Sequence, residues 1–240
     1  MVWIRSVIFL LFMLLITPVL ALIFSPALLM GERAAYFIIR SWANFMLSVL
    51  RILCGVRHEI IGRENIPSGA SIVASNHHSM WETIALMAFL PRPVMAFKRE
   101  FRMNPVYRFW GYVAGIPVDR KATVSAIKSL VGEAKRFLAL GRQIILFPEG
   151  TRVPLGETRP LQPGIAAVYQ ACKTSVVPVV HNSSMHWRHP GPMKLPGTIR
   201  IEFLPPIEPG MDRRAFLRSL EERFLSARTD LPNPETKTAA

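Results

Sequence analysis

Ser71-Ile72-Val73-Ala74-Ser75-Asn76-His77-His78-Ser79-Met80-Trp81-Glu82 is the stretch that decides how the chain folds. Its first five residues are a short, β-prone apolar run. A polar, titratable island follows, and a helical pattern opens behind it. Strand, loop and helix in that order make the repeating unit of α/β proteins, which keep their reactive groups in the loops at strand ends. Within the island His77 precedes the carboxylate Glu82 by five positions, the parts of a base and its orienting group. On one continuous helix the two would point about 140° apart. The pair therefore requires His77 in the loop and Glu82 in the first helical turn. Ser79-x-x-Glu82 is a capping box that predicts this boundary, with Ser79 at the N-cap and Glu82 also able to bond the Ser79 amide. His78, four residues before Glu82, would share its helical face and is the rival base.

Outward from this unit the pattern repeats. Strands are predicted at Ser71–Ser75, Val94–Phe97, Ile116–Val118, Gln143–Phe147, Ser175–Val180 and Thr198–Leu204, with helical patterns over 81–90, 104–114, 121–140, 164–172 and 212–227. This alternation predicts an α/β fold, a mixed and largely parallel sheet covered by helices. With 240 residues, 50% of them hydrophobic, and no mid-chain linker, a single core is expected. Two cysteines, Cys54 and Cys172, argue against a disulfide framework.

The N-terminus adds an anchor. Ser6 to Met30 are 25 consecutive uncharged residues, about 37 Å of helix against a hydrocarbon thickness of about 30 Å. Pro18 and Pro26 permit a kink or a shallow re-entrant path. A secretory signal peptide cleaved after Val19-Leu20-Ala21 is the competing reading, but the apolar run continues past that point. From Arg33 to Leu53 a narrow stripe of Arg33, Arg40, Asn44, Ser48 and Arg51 interrupts an otherwise apolar and aromatic helix, as in a helix lying in a membrane interface. A soluble core helix with one exposed edge would show a similar pattern. Only Arg5 of the 29 basic residues, and none of the 16 acidic ones, falls in the first thirty residues, so the remainder carries a net charge of +12. That charge suits an anionic surface or substrate and places the bulk of the chain on the cytoplasmic face of the cell (inner) membrane. Nucleic acid is not an expected partner, because no recognition helix or stacking sheet accompanies the charge. The predicted organisation is an anchor over 1–54, a catalytic domain over 55–230 and a flexible tail over 231–240.

Three motifs follow three predicted strands: Asn76-His77-x4-Glu82, then Gly115-Ile116-Pro117-Val118-Asp119-Arg120, then Phe147-Pro148-Glu149-Gly150-Thr151-Arg152. In this order and spacing they resemble the glycerolipid acyltransferase family, and within it the lysophosphatidic acid acyltransferases. The resemblance covers roughly residues 55–205. It implies transfer of an acyl chain from acyl-CoA or acyl carrier protein to the sn-2 hydroxyl of 1-acyl-sn-glycerol 3-phosphate, giving phosphatidic acid. It also implies the bilayer and a lysophospholipid as partners, with the thioester as co-substrate and no bound cofactor or metal. Related acceptors (a lyso-ornithine lipid, glycerol 3-phosphate or a lipid A precursor) and a non-catalytic lipid-binding role are the alternatives.

The chemistry agrees with what the resemblance implies. An alcohol attacking a thioester must lose its proton, and an imidazole with an ordinary pKa near 6.5 suits that task at cytoplasmic pH. By motif position His77 is the base and Glu82 its orienting acid; the family more often has aspartate there, one methylene shorter. Arg120 and Arg152 match phosphate-holding positions and offer planar forks for phosphate oxygens. Lys98 matches a less specific basic position, and Gly150 and Thr151 can supply close backbone approach and a hydroxyl. Glu149 can hold Arg152 or accept from a substrate hydroxyl; the resemblance favours the substrate. His181, His186 and His189 invite a metal reading, but without an accompanying acid or cysteine they are expected to be surface or loop histidines.

Overall fold

The computed structural model describes residues 1–118, 124–154 and 156–230. Two long helices come first, α1 (Val2–Ile23) and α2 (Glu32–Cys54), joined by a short 3-10 turn at Ser25–Leu28. They run antiparallel, because Cys54 reaches the Arg5 carbonyl, Phe45 packs on Phe12, and Trp42 donates to the Thr17 hydroxyl at 3.3 Å. α2 stops at Gly55, which lies in the left-handed region (φ 70°) and returns its N–H to Arg51 O. A Cβ there would also stand 3.1 Å from that of Pro196, so glycine serves both the turn and the contact.

There follow β1 (Val56–Ile61), β2 (Ser71–Ser75), α3 (Trp81–Phe89), β3 (Pro93–Lys98), α4 (Pro105–Ala114), β4 (Gly115–Val118), α5 (Val124–Ala139) and β5 (Gln143–Leu146). The chain continues with α6 (Pro163–Cys172), β6 (Val176–His181), the one-turn α7 (Ser183–His186), β7 (Gly197–Phe203) and α8 (Arg213–Asp230). All six predicted strands are present, their ends moved by a residue or two. β1 escapes the sequence pattern because Arg57, His58 and Glu59 interrupt its apolar residues; it is the charged edge of the sheet.

The seven strands lie in the order β1-β7-β6-β2-β5-β3-β4. From β6 to β4 every pairing is parallel, whereas β7 runs antiparallel to β6 and carries β1 parallel to itself. The expected mixed, largely parallel sheet is therefore observed. Every residue of β2 is buried, which accounts for its continuous rather than alternating apolar run. One face of the sheet (Val73, Ile145, Val177, Ile199) packs under α1, α2 and α3, and the other (Ile72, Ile144, Val176, Val180) under α5, α6 and α8. The C-terminal ends of β6, β2, β5, β3 and β4 consequently share one edge, and the motif loops leave from it.

The first two helices are long and apolar enough to cross a membrane, yet one side of each is committed to protein. α1 buries Ser6, Phe9 and Met13, whose spacing puts them on one stripe, while Ile4, Ile8, Leu11, Leu15 and Leu22 remain exposed. Ser6 in this apolar stretch has a specific partner: its hydroxyl accepts the Lys194 N–H at 2.9 Å. Lys194 is itself buried, its ammonium 4.5 Å from the Trp187 ring centre and donating to Pro192 O. α2 turns Ala43, Met46, Leu47 and Leu50 into the core, and Arg40 donates to the Leu90 carbonyl at 2.7 Å. Much of the apolar surface assigned to a membrane interface from sequence is thus core contact. The broad exposed apolar surface that remains is the outer side of α1 with Phe37, Phe45 and Ile52 of α2. At the far end of the sheet buried Arg142 pairs with Glu32 and donates to Val113 O at 2.6 Å, fastening the start of α2. The predicted tail, 231–240, lies outside the described residues.

Candidate active site

The site is built on the end of β2. Asn76 spans to the end of β6, donating to His181 O at 2.9 Å and accepting from His181 N at 3.1 Å. The His181 ring then bonds Asn76 O at 2.9 Å; a carbonyl only accepts, so Nε2 carries the proton. His181 is buried rather than on the surface as its sequence context suggests, because β6 is a central strand and its last residue lies beneath the Asn76 loop. His186 is half-buried against Gly197, and His189 is exposed. Among the described residues no three of His, Cys, Asp and Glu are grouped to hold a metal ion.

His77 stays in the loop and Glu82 is the second residue of α3, the arrangement that their spacing requires. Nδ1 of His77 lies 2.8 Å from Oε1 of Glu82. The imidazole is nearly parallel to the Phe147 ring, with centroids 4.0 Å apart. His78, the rival, gives Glu82 only its backbone N–H, at 2.8 Å; its ring nitrogen Nδ1 lies 2.8 Å from Val153 O. Half of the capping box is formed, since the residue at the cap of α3 is Met80 and not Ser79, and the Ser79 hydroxyl takes the N–H of Trp81 rather than that of Glu82. Ser79 N donates to Glu82 Oε1 at 2.7 Å, and Trp81 N donates to the Ser79 hydroxyl at 3.0 Å.

Glu82 is completely buried and accepts five hydrogen bonds. Oε1 receives His77 Nδ1, His78 N and Ser79 N; Oε2 receives the hydroxyls of Ser79 at 2.7 Å and Ser183 at 3.0 Å. Burial alone would raise this carboxyl, but the imidazoles of His181 and His77 and the Ser79 hydroxyl hold it well below the usual carboxylate range. At neutral pH His181 is itself uncharged, so the donors carry the effect. With the carboxylate ionised and accepting, Nδ1 of His77 holds the proton and Nε2 carries the lone pair. Nε2 has no protein partner among the described residues.

The loop after β5 backs this unit. Glu149, buried, accepts the His77 N–H at 2.7 Å through Oε2, and Val153 N donates to His77 O at 2.7 Å. Arg152 Nε donates to Ser79 O at 3.1 Å. Gly150 takes φ 72° where the loop turns, and a Cβ there would press on Gln162 at 3.1 Å. Gly150 is exposed, and Thr151 and Arg152 are partly exposed. Lys98 ends β3 at the same edge, two strands from β2, with its side chain exposed. β4 also ends at this edge, at Val118; Arg120 lies outside the described residues. Ser183 was not singled out from the sequence. Its signal was available, since His181-Asn182-Ser183-Ser184 is a second polar island directly after an apolar run.

His181 makes stability pH-dependent. Burial pushes its imidazole down to about 4, against the opposing Glu82 charge. Once unfolded it takes up a proton near 6.5. Acid therefore favours the unfolded chain: this contribution to stability is complete above about pH 6.5 and is lost as pH falls towards about 4. Thermal unfolding of the full chain in detergent should show a Tm that drops between pH 7 and pH 5. His181→Gln should flatten that drop, and an unchanged slope would contradict the assignment.

An ionised, fully buried carboxylate bound to a loop histidine at the C-terminal edge of a mostly parallel sheet defines an α/β protein equipped for general-base chemistry. The chain belongs to the Acyltransferase family, whose model matches residues 57–182, more than half of its length. It is 33% identical over 174 residues to the 1-acyl-sn-glycerol-3-phosphate acyltransferase of Pseudomonas aeruginosa, covering 70% of this chain and 66% of that protein. It is 30% identical over 168 residues to the human 1-acyl-sn-glycerol-3-phosphate acyltransferase alpha, covering 68% and 59%. The matched stretch thus spans just under two thirds, or less, of these relatives. The crystal structure of the 1-acyl-sn-glycerophosphate (LPA) acyltransferase from Thermotoga maritima shares the fold, with a TM-score of 0.78 over 96% of this chain and 99% of that one, at 21% identity.

Proposed function

We propose that the protein transfers an acyl chain from an acyl thioester, acyl-CoA or acyl carrier protein, to the sn-2 hydroxyl of 1-acyl-sn-glycerol 3-phosphate, giving phosphatidic acid. The observation that carries this reading is the His77–Glu82 pair, with Nδ1 committed to a buried carboxylate and Nε2 left to a substrate. The names of the Pseudomonas and human relatives supply the acceptor. Nε2 takes the proton of the hydroxyl as its oxygen bonds to the thioester carbon. Collapse of the tetrahedral adduct breaks the C–S bond, and the departing thiolate takes that proton from the His77 imidazolium. Glu82 stabilises the imidazolium between the two transfers. The thioester is already activated, so no covalent enzyme intermediate is needed.

Arg152, Lys98 and Arg120 hold the acceptor phosphate in this reading, each charged contact contributing about 1.5–3 kcal/mol. Gly150 and Thr151 line the approach. Glu149 fixes the His77 backbone through its 2.7 Å bond, beside the substrate contact that the resemblance implies. Residues 1–54 form the anchor and 55–230 the catalytic domain. The exposed side of α1 rests in the inner membrane, with the basic catalytic domain on its cytoplasmic face.

The test supplies membranes containing the full chain with labelled acyl thioester and either lysophosphatidic acid or the corresponding monoacylglycerol, which lacks the phosphate. Labelled phosphatidic acid from the first, with little product from the second, is the expected result. Product from a different acceptor and none from lysophosphatidic acid would overturn the reading.

A further inference from the structure

We infer that Ser183 is a positioning residue for Glu82, and that its hydroxyl sets which way the carboxylate faces and how strongly it pairs with His77. The inference rests on the proposed reaction only for its kinetic consequence; its structural content is independent of the acceptor. Four of the five donors to Glu82 come from residues 77–79, the loop that leads into its own helix. Ser183 comes from 101 residues further along the chain and is fully buried. Among the described residues it is the sole hydrogen-bond donor to this carboxylate from outside that loop.

Ser183 is brought there by the sheet. β2 and β6 are hydrogen-bonded neighbours, and the two bonds between the Asn76 side chain and the His181 backbone lock their ends together. Two residues beyond His181, α7 begins with Ser183, whose N–H faces His181 Nδ1 at 3.4 Å. The hydroxyls of Ser79 and Ser183 lie 2.9 Å apart and converge on Oε2. A glutamate has a terminal torsion that is broad and roughly two-fold, so burial alone does not fix its carboxylate plane. Holding Oε2 from a second strand fixes that plane and turns Oε1 to His77. The other titratable groups around the site are His78 on the same loop, His181 at the end of β6, Glu149 and Arg152 on the loop after β5, and the exposed His189 beyond α7.

The experiment compares full-length wild type with Ser183→Ala and Ser183→Thr in detergent. It reads the protonation midpoint of His77 from its imidazole nitrogen resonances, and separately kcat and KM for lysophosphatidic acid. In Ser183→Ala the midpoint should move downward, because Oε1, no longer held toward the ring, binds the imidazolium less tightly. kcat should fall on the order of tenfold as the carboxylate loses its orientation, with KM within about twofold of wild type. Ser183→Thr keeps the hydroxyl and should restore the wild-type midpoint. In a Glu82→Ala background Ser183→Ala should add nothing. If Ser183→Ala does not fold, Ser183→Cys, close in volume but a weak donor, is read in its place. An unshifted His77 midpoint in whichever variant folds overturns the inference, as does an undiminished Ser183→Ala effect without Glu82. A wild type inactive on lysophosphatidic acid, but with the midpoint shift intact, would fail the proposed reaction and leave the positioning role standing.

Discussion

Replacing His77 by alanine should lower kcat by about 10²–10⁴ while leaving KM for the acceptor within a few-fold, since a general base contributes to the transition state more than to binding. The expectation follows from which histidine holds Glu82. Nδ1 of His77 is 2.8 Å from Oε1, whereas the His78 ring is turned to the Val153 carbonyl. His78→Ala should therefore cost less than about tenfold in rate, and about 1 kcal/mol of stability for the lost hydrogen bond. The His77 ring stacks on Phe147, but deleting it leaves Glu82 with four donors, so the variant should remain folded. Both variants can be assayed in the same membranes. A large loss confined to His78→Ala would reverse the assignment.

Glu82 carries the second large effect, and two substitutions separate its roles. Glu82→Gln keeps the shape and one carbonyl oxygen for the loop donors; its amide can turn to the Ser79 and Ser183 hydroxyls, which accept as readily as they donate. The fold should survive, but the imidazolium loses its counter-charge, and kcat should fall on the order of 10²–10³. Glu82→Ala removes the acceptor for five donors in a site with no exposure, and an unsatisfied buried donor costs about 1–3 kcal/mol. That variant should lose about 3 kcal/mol or more, read as a large drop in Tm. Retention of more than half the wild-type kcat by Glu82→Gln would refute its electrostatic role. Equal stability of the alanine variant would refute its structural one.

Several elements are legible in the sequence because their causes are local. The all-apolar Ser71–Ser75 run belongs in a buried strand, and Ser79-x-x-Glu82 stops the helix short of His77, so the loop histidine and the helical acid follow from adjacent residues. β1 has no such local signature, because a charged edge strand has little periodicity of its own and is specified by pairing to β7, 141 residues later in register at Glu59 and Arg200. For α2, an apolar helical stripe is equally compatible with lipid and with protein, and only the presence of α3 and the sheet beneath it separates the two. Glu149 shows the same ambiguity for a polar group: its motif points to the substrate, and only the fold adds that it takes the His77 N–H.

By itself the sequence determined the α/β alternation, the order of the motif loops and the boundary that leaves the histidines in a loop and Glu82 in a helix, since periodicity and capping act over a single turn or strand. The family resemblance, and not spacing, favoured His77 over His78. Only the tertiary structure decided which histidine nitrogen meets the carboxylate, that Ser183 closes its far side, and which side of each N-terminal helix is covered. Those contacts depend on strand order and layer packing. They join residues as far apart as Ser6 and Lys194, which no local pattern encodes and which become neighbours only when burial of apolar surface brings the layers together.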